Sequence, residues 1–250
     1  MNRIINAFVA GLITTLLVGP VAGQRIWEKK PYTKWTLSEV MRILSDSPWA
    51  QTAIQTTRFS YNVPGQSYSA TVRLRSALTV RQALVRQKQL AVGYDKLNSV
   101  DRARFDAETK EFLMCLDCSK YYILTLASLV PAGSPPVTLS DNVTLQGTQG
   151  TDVSVALVGR SLNDLKEYVY LTNDIGERRE LVGFIPPAGT GKEAMFVFRR
   201  FDDQGKPLIS VGTKKFYFAI AGQLFKELGG PLKKFTFAVS PLLQNGEVIF

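Results

Sequence analysis

The sequence predicts an α+β fold in which a helix-rich N-terminal half is packed on, or followed by, a mainly antiparallel sheet or sandwich. Apolar residues recur at helical spacing before residue 131, whereas short strand-like runs separated by Asp/Gly turns dominate after residue 150. The 250 residues, 45% hydrophobic with a mean hydropathy of +0.01, suffice to bury a real core. The implied division is a leader over 1–23, a helix-rich α+β region over 24–130, a turn-rich connection over 131–150 and an antiparallel β region over 151–250.

The leader reads MNRIINAFVAGLITTLLVGPVAGQ, with Arg3 ahead of an uncharged stretch from Ile4 to Gly23. Val21 and Gly23 are small residues placed for cleavage before Gln24, the pattern of a secretory signal. It predicts export to the periplasm or cell envelope. About 20 apolar residues also just span a bilayer, so a retained N-terminal membrane anchor is the alternative.

Further on, Thr36 and Glu39 are spaced as a capping box, and Leu37, Val40, Met41 and Leu44 follow at helical spacing until Pro48. Residues 68–78 alternate as a strand, Val72 and Leu74 on one face, Arg73 and Arg75 on the other. Thr79 is the expected cap of a helix running to about Leu97, with Ala83, Leu84, Leu90, Ala91 and Tyr94 on one stripe. Ser99 is the expected cap of the next, with Phe105, Phe112 and Leu113 facing inward. YYILTLASL reads as a buried strand. After PAGSPPVTLSDNVTLQGTQG come YVYLT, ELVGFI, AMFVFRRF, KPLIS, KKFYFAIAG and KKFTFAV; NDIGERR and DDQG supply the glycines that hairpin loops need.

Composition excludes several chemistries. With no histidine there is no Ser-His-Asp or Cys-His catalysis, no imidazole metal ligand and no histidine pH switch. Two cysteines cannot form a four-Cys zinc site. Cys115 and Cys118, spaced i, i+3, put their Cα atoms roughly 5 Å apart on a helix, within disulfide range. A redox-active CxxC sits at a helix N-terminus, where the dipole favours a thiolate; this pair falls at the C-terminal end. A structural disulfide is therefore the leading reading and a thiol-disulfide enzyme an alternative. PPAGTGKEAMF is not a phosphate loop, because Pro186 stands where the first glycine is needed and Glu193 where Ser or Thr is needed.

The formal charge of +9 is uneven: residues 58–110 hold ten Lys or Arg against four acids. Arg73, Arg75, Arg81, Arg86 and Lys88 are the candidate ligands for an anion or a partner, alongside the ordinary reading of a solvated basic face. For an exported chain the accessible anions are lipid headgroups or acidic envelope polymers, not nucleic acid.

KKPYTKWTLSEVMRILSDSPWA (29–50), LRSALTVRQALVRQ (74–87), CLDC before YYILTL, and YVYLTNDIGERRELVGFIPP (168–187) resemble a group of exported bacterial proteins of uncharacterised activity, sharing K-P-Y-x-x-W, D-S-P-W-A and CxxC blocks. The resemblance implies an envelope or secreted location and transfers no catalytic residue. The expectation is thus a non-catalytic exported envelope protein, without metal or cofactor, that binds a protein partner or an anionic membrane or envelope surface. The alternatives are an accessory subunit of a membrane complex, anchored by an uncleaved N-terminal helix, and a CxxC thiol-disulfide enzyme.

Overall fold

The computed structural model describes residues 26–56, 67–128, 137–138, 144–145, 155–189, 192–221, 234–244 and 247–248. The leader over 1–23 and most of the connection over 131–150 lie outside them. In chain order the helices are α1 (Ile26–Lys29), α2 (Leu37–Ser45), α3 (Leu78–Ala91), α4 (Ser99–Met114) and α5 (Leu162–Leu165). The main strands are β1 (Ala50–Thr56), β2 (Ser67–Leu74), β3 (Tyr121–Ser128), β6 (Val169–Asn173), β7 (Arg178–Ile185), β8 (Ala194–Arg199), β9 (Lys215–Ile220) and β10 (Lys234–Ala238). Two short ribbons pair β4 (Val137–Thr138) with β5 (Thr144–Leu145) and β11 (Leu243–Gln244) with β12 (Glu247–Val248).

The fold is α+β, built on one eight-stranded antiparallel sheet in the order β1-β2-β3-β8-β7-β6-β9-β10. Three of its strands come from before residue 131, and β3 pairs directly with β8 from Tyr121–Arg199 to Leu126–Ala194. The two halves therefore share a sheet, where the sequence pattern separates a helical half from a β half. The sheet curls until its outer strands, β1 and β10, approach each other, making it nearly a barrel. Period-two alternation fills one face: Val72 and Leu74 on β2, Tyr122, Leu124 and Leu126 on β3, Phe196 and Phe198 on β8, Phe216 and Phe218 on β9 and Phe235 and Phe237 on β10 are all buried. α2 packs against α3, β1 and β2, adding Val40, Ile43 and Leu44 to that core.

Local signals explain most element ends. Thr36 and Glu39 form the capping box, with the Thr36 amide donating to Glu39 Oε2 at 2.7 Å. Gly176 and Gly205 adopt φ of 88° and 78°, which the tight turns after β6 and after β8 require. Four details differ from the sequence reading. Asn98 caps α4 in place of Ser99, its Oδ1 accepting from the Asp101 amide at 2.9 Å. Ala77 precedes α3 in place of Thr79; the nearby Ser76 hydroxyl instead accepts from the Ile123 amide of β3. α3 ends at Ala91 because Gly93, at φ 65°, turns the chain into a 3-10 turn at Tyr94–Lys96. KPLIS is not a strand: Pro207 makes a lone bridge to Phe201, while Leu208 and Ile209 turn into the core.

The ion pairs make an acid-stability prediction. Lys30 donates to Glu39 at 2.8 Å and, with the Thr36 amide, holds its carboxyl below the usual range. Backbone donation from Lys206 and Gln204 does the same for Asp202, and the Lys206 side chain does so for Glu177. Carboxyls lowered by folding stabilise above their ordinary values, 3.8 for Asp and 4.5 for Glu, and lose that contribution as pH falls through the folded values. With no histidine in the chain, the melting temperature is expected to be flat from about pH 8 to 5 and to fall below about pH 4.5. A decline already between pH 8 and 5 would contradict this assignment.

Candidate functional site

The five basic candidates do not form one face. Arg81 and Arg86 are only 2% and 6% exposed, so neither is a surface ligand. Arg73 pairs with Glu193 and donates through Nε to the Leu44 carbonyl at 2.6 Å. The Arg75 guanidinium lies 4.9 Å from the Phe112 ring centre, and burial lowers its pKa. Lys88 alone of the five is exposed. The physical reason is that arginine carries a long apolar stem and a planar fork of donors, so it cross-links carbonyls inside a fold as readily as it binds anions. Cys115 and Cys118 are disulfide-bonded with Cα atoms 5.4 Å apart, at the end of α4 and in the turn that follows it.

What Arg86 does is hold together the walls of a cleft. Trp35 is buried, and its indole donates to the Lys30 carbonyl at 3.2 Å. Its own carbonyl accepts from Arg86 Nε at 3.0 Å, which fastens the KPYTKW segment to α3. The same guanidinium reaches Gln89 Oε1 at 3.3 Å and Asp95 Oδ2 at 3.3 Å. Thus one side chain sets the segment before α2, the inner face of α3 and the turn before α4. Between these parts lies a cleft of about 430 Å³ walled by Tyr32, Gln89, Tyr94, Asp106, Lys110 and Leu113. The cleft is an open groove, not an enclosed cavity.

Its polar groups are ordered. Tyr94 donates its hydroxyl to both oxygens of Asp106 at 2.8 Å, and its ring packs edge-on to Phe105 at 5.3 Å. This hydrogen bond pushes the Tyr94 phenol up; burial, followed by the charge of Asp106, does the same for Tyr32. Both phenols remain protonated at neutral pH, and the Tyr94 proton is held by Asp106. Asp106 is the one carboxylate and Lys110 the one ammonium among the lining residues, so the cleft is close to neutral.

Gln89 is the informative residue. Arginine can only donate, so the contact with Arg86 fixes the Gln89 carbonyl oxygen toward the guanidinium. The amide NH2 is on the other side of the group from the Arg86 contact, on a side chain that lines the cleft, and it is not a buried orphan donor. A ligand acceptor in the cleft would exchange with water at this donor, a net gain of about 0.5–1.5 kcal/mol.

Tyr32, Gln89, Tyr94, Asp106 and Lys110 are absent from the sequence-based candidates. Two signals pointed toward them: the K-P-Y-x-x-W block, which supplies Tyr32 and its anchor Trp35, and two polar residues, Arg86 and Gln89, three apart on a helix whose neighbouring Ala83 and Leu90 face the core. Among the described residues no helix is long and apolar enough to cross a membrane, and no group of three or more acidic or cysteine side chains gathers as a metal cluster. Comparison of the chain with protein-family models, curated proteins and solved structures finds no match.

Proposed function

We propose that this is an exported, non-catalytic binding protein of the cell envelope, and that the cleft between α3 and α4 holds a neutral, hydroxyl-rich unit of a glycan. The observation that carries the reading is the near-neutral, tyrosine-walled cleft in which Arg86 orients the Gln89 amide. A ligand there must accept from Gln89, Tyr32 and Lys110, donate to Asp106, and offer an apolar face to Leu113 and the tyrosine rings. A sugar does all of these, because each hydroxyl both donates and accepts and the pyranose C–H face packs on aromatic or aliphatic surface. A phosphate or carboxylate ligand would lie against Asp106 with one ammonium to offset it. Export is supported by the Arg3-led uncharged stretch and by a disulfide, which persists in oxidising compartments.

Titration of the isotope-labelled protein with an N-acetylglucosamine tetramer, a glucose tetramer and a polyphosphate tests the reading. The expected result is saturable perturbation of the Gln89 side-chain amide and of Tyr32 and Tyr94 by a neutral oligosaccharide. Silence with both sugars, or saturation by polyphosphate alone, would overturn it.

A further inference from the structure

Arg81 is an unusual buried cation. Its Nε donates to the Leu113 carbonyl at 3.1 Å, and its Nη1 donates to the Ser76 carbonyl and to Cys118 Sγ, the latter at 3.3 Å. No carboxylate pairs with it among the described residues, and burial alone lowers its pKa to about 10, so it is charged at neutral pH. A buried charge without a counter-ion is expensive. Among the described residues, its one hydrogen bond to anything but a backbone carbonyl goes to a disulfide sulfur, a weak acceptor. A thiolate at that place would be both a strong acceptor and the missing counter-charge.

The two sulfurs are also unequal. Cys118 is 3% exposed, whereas Cys115 is half-buried, held at φ 43° where α4 ends. The end of α4 presents carbonyls, which disfavour a thiolate, so the helix dipole cannot activate this pair. Arg81, from a different helix, supplies the positive charge that the dipole does not.

We propose that the Cys115–Cys118 disulfide is redox-active, with Cys115 the sulfur attacked by an incoming dithiol and Cys118 the leaving thiolate stabilised by Arg81. The dithiol's thiolate bonds to Cys115 Sγ, the S–S bond breaks, and its electron pair goes to Cys118 Sγ. The reductant's second sulfur then displaces Cys115, leaving the reductant as a disulfide and the protein two electrons reduced. Of the two protons the dithiol gives up, one ends on Cys115 and the other in solvent while Cys118 stays a thiolate. A stabilised leaving group accelerates the first step and makes the disulfide more oxidising. This inference does not depend on the cleft's ligand.

The test is the thiolate absorbance of the dithiothreitol-reduced full chain, followed against pH for the wild type, Arg81→Lys and Arg81→Met, together with the equilibrium constant for reduction by dithiothreitol. One wild-type cysteine is expected to ionise at least one pH unit below the ordinary value of about 8.5. Arg81→Lys should keep that behaviour. Arg81→Met should abolish it and, at a pH above both thiol pKa values, make reduction about tenfold less favourable, as a shift of one pKa unit in one state implies. If both wild-type thiols ionise at about 8.5 or higher, the proposal is wrong whether or not either variant folds. A folded Arg81→Met that keeps the low value would overturn it equally.

Discussion

Phe218→Ala is expected to destabilise the fold by about 4 kcal/mol, since removing a buried phenylalanine costs about 3–5 kcal/mol through lost burial and the cavity left behind. Phe218 has no solvent exposure and sits in β9 opposite Leu171 of β6 on one side and Phe235 of β10 on the other. Its ring lies 5.2 Å from Phe196 and 6.2 Å from both Phe198 and Phe235. These rings come from three different strands of one curved sheet, so no single neighbour can move to fill the space without losing its own contacts. Domains of this kind have about 5–15 kcal/mol of total stability, so the loss is a large share. The denaturation midpoint of the purified variant measures it, and a change under about 1.5 kcal/mol would contradict the placement of Phe218 at the centre of the core.

Arg86→Met has the next largest effect, an expected loss of about 2–3 kcal/mol together with loss of ligand binding in the cleft. The ion pair with Asp95 contributes little of it, because the Asp95 side chain is 71% exposed and water screens the pair. The cost comes from the Trp35 carbonyl and the Gln89 oxygen, which lose their donor in a buried place where each unpaired polar group costs about 1–3 kcal/mol; methionine's burial offsets part of it. Arg86→Lys should rescue little, because an ammonium cannot span three acceptors in the geometry of the planar fork. A variant as stable as the wild type in a urea titration would show that Arg86 does not hold the segment at Trp35.

The legible parts of this fold are those whose causes are local. Thr36 and Glu39 announce a helix start within four residues, and the glycines of NDIGERR and DDQG announce turns. Cys115 and Cys118 lie close enough in sequence for their bonding to follow from spacing. The unreadable parts depend on distant partners. Arg86 reads as a surface cation until its acceptor is known to be Trp35, 51 residues earlier, and Arg81 until its acceptor is known to be Leu113, 32 residues later. The pairing of β3 with β8 crosses the turn-rich stretch that sequence composition marks as a boundary, and nothing in either strand's alternation names its neighbour. The cleft was hidden for the same reason, since Tyr32, Gln89 and Asp106 come from three separate segments that only the folded chain brings together.

Gln89→Glu tests the central claim most directly. Glutamate keeps the shape of glutamine and turns the Arg86 contact into a charged pair, so the fold should be at least as stable, yet it removes the NH2 donor that faces the cleft. Calorimetric titration of both forms with the neutral oligosaccharide is expected to show an affinity at least tenfold weaker for the variant, about 1.4 kcal/mol, with an unchanged or higher melting temperature. Equal affinity in the two forms would show that the Gln89 amide does not meet the ligand, and the account of the cleft would be wrong.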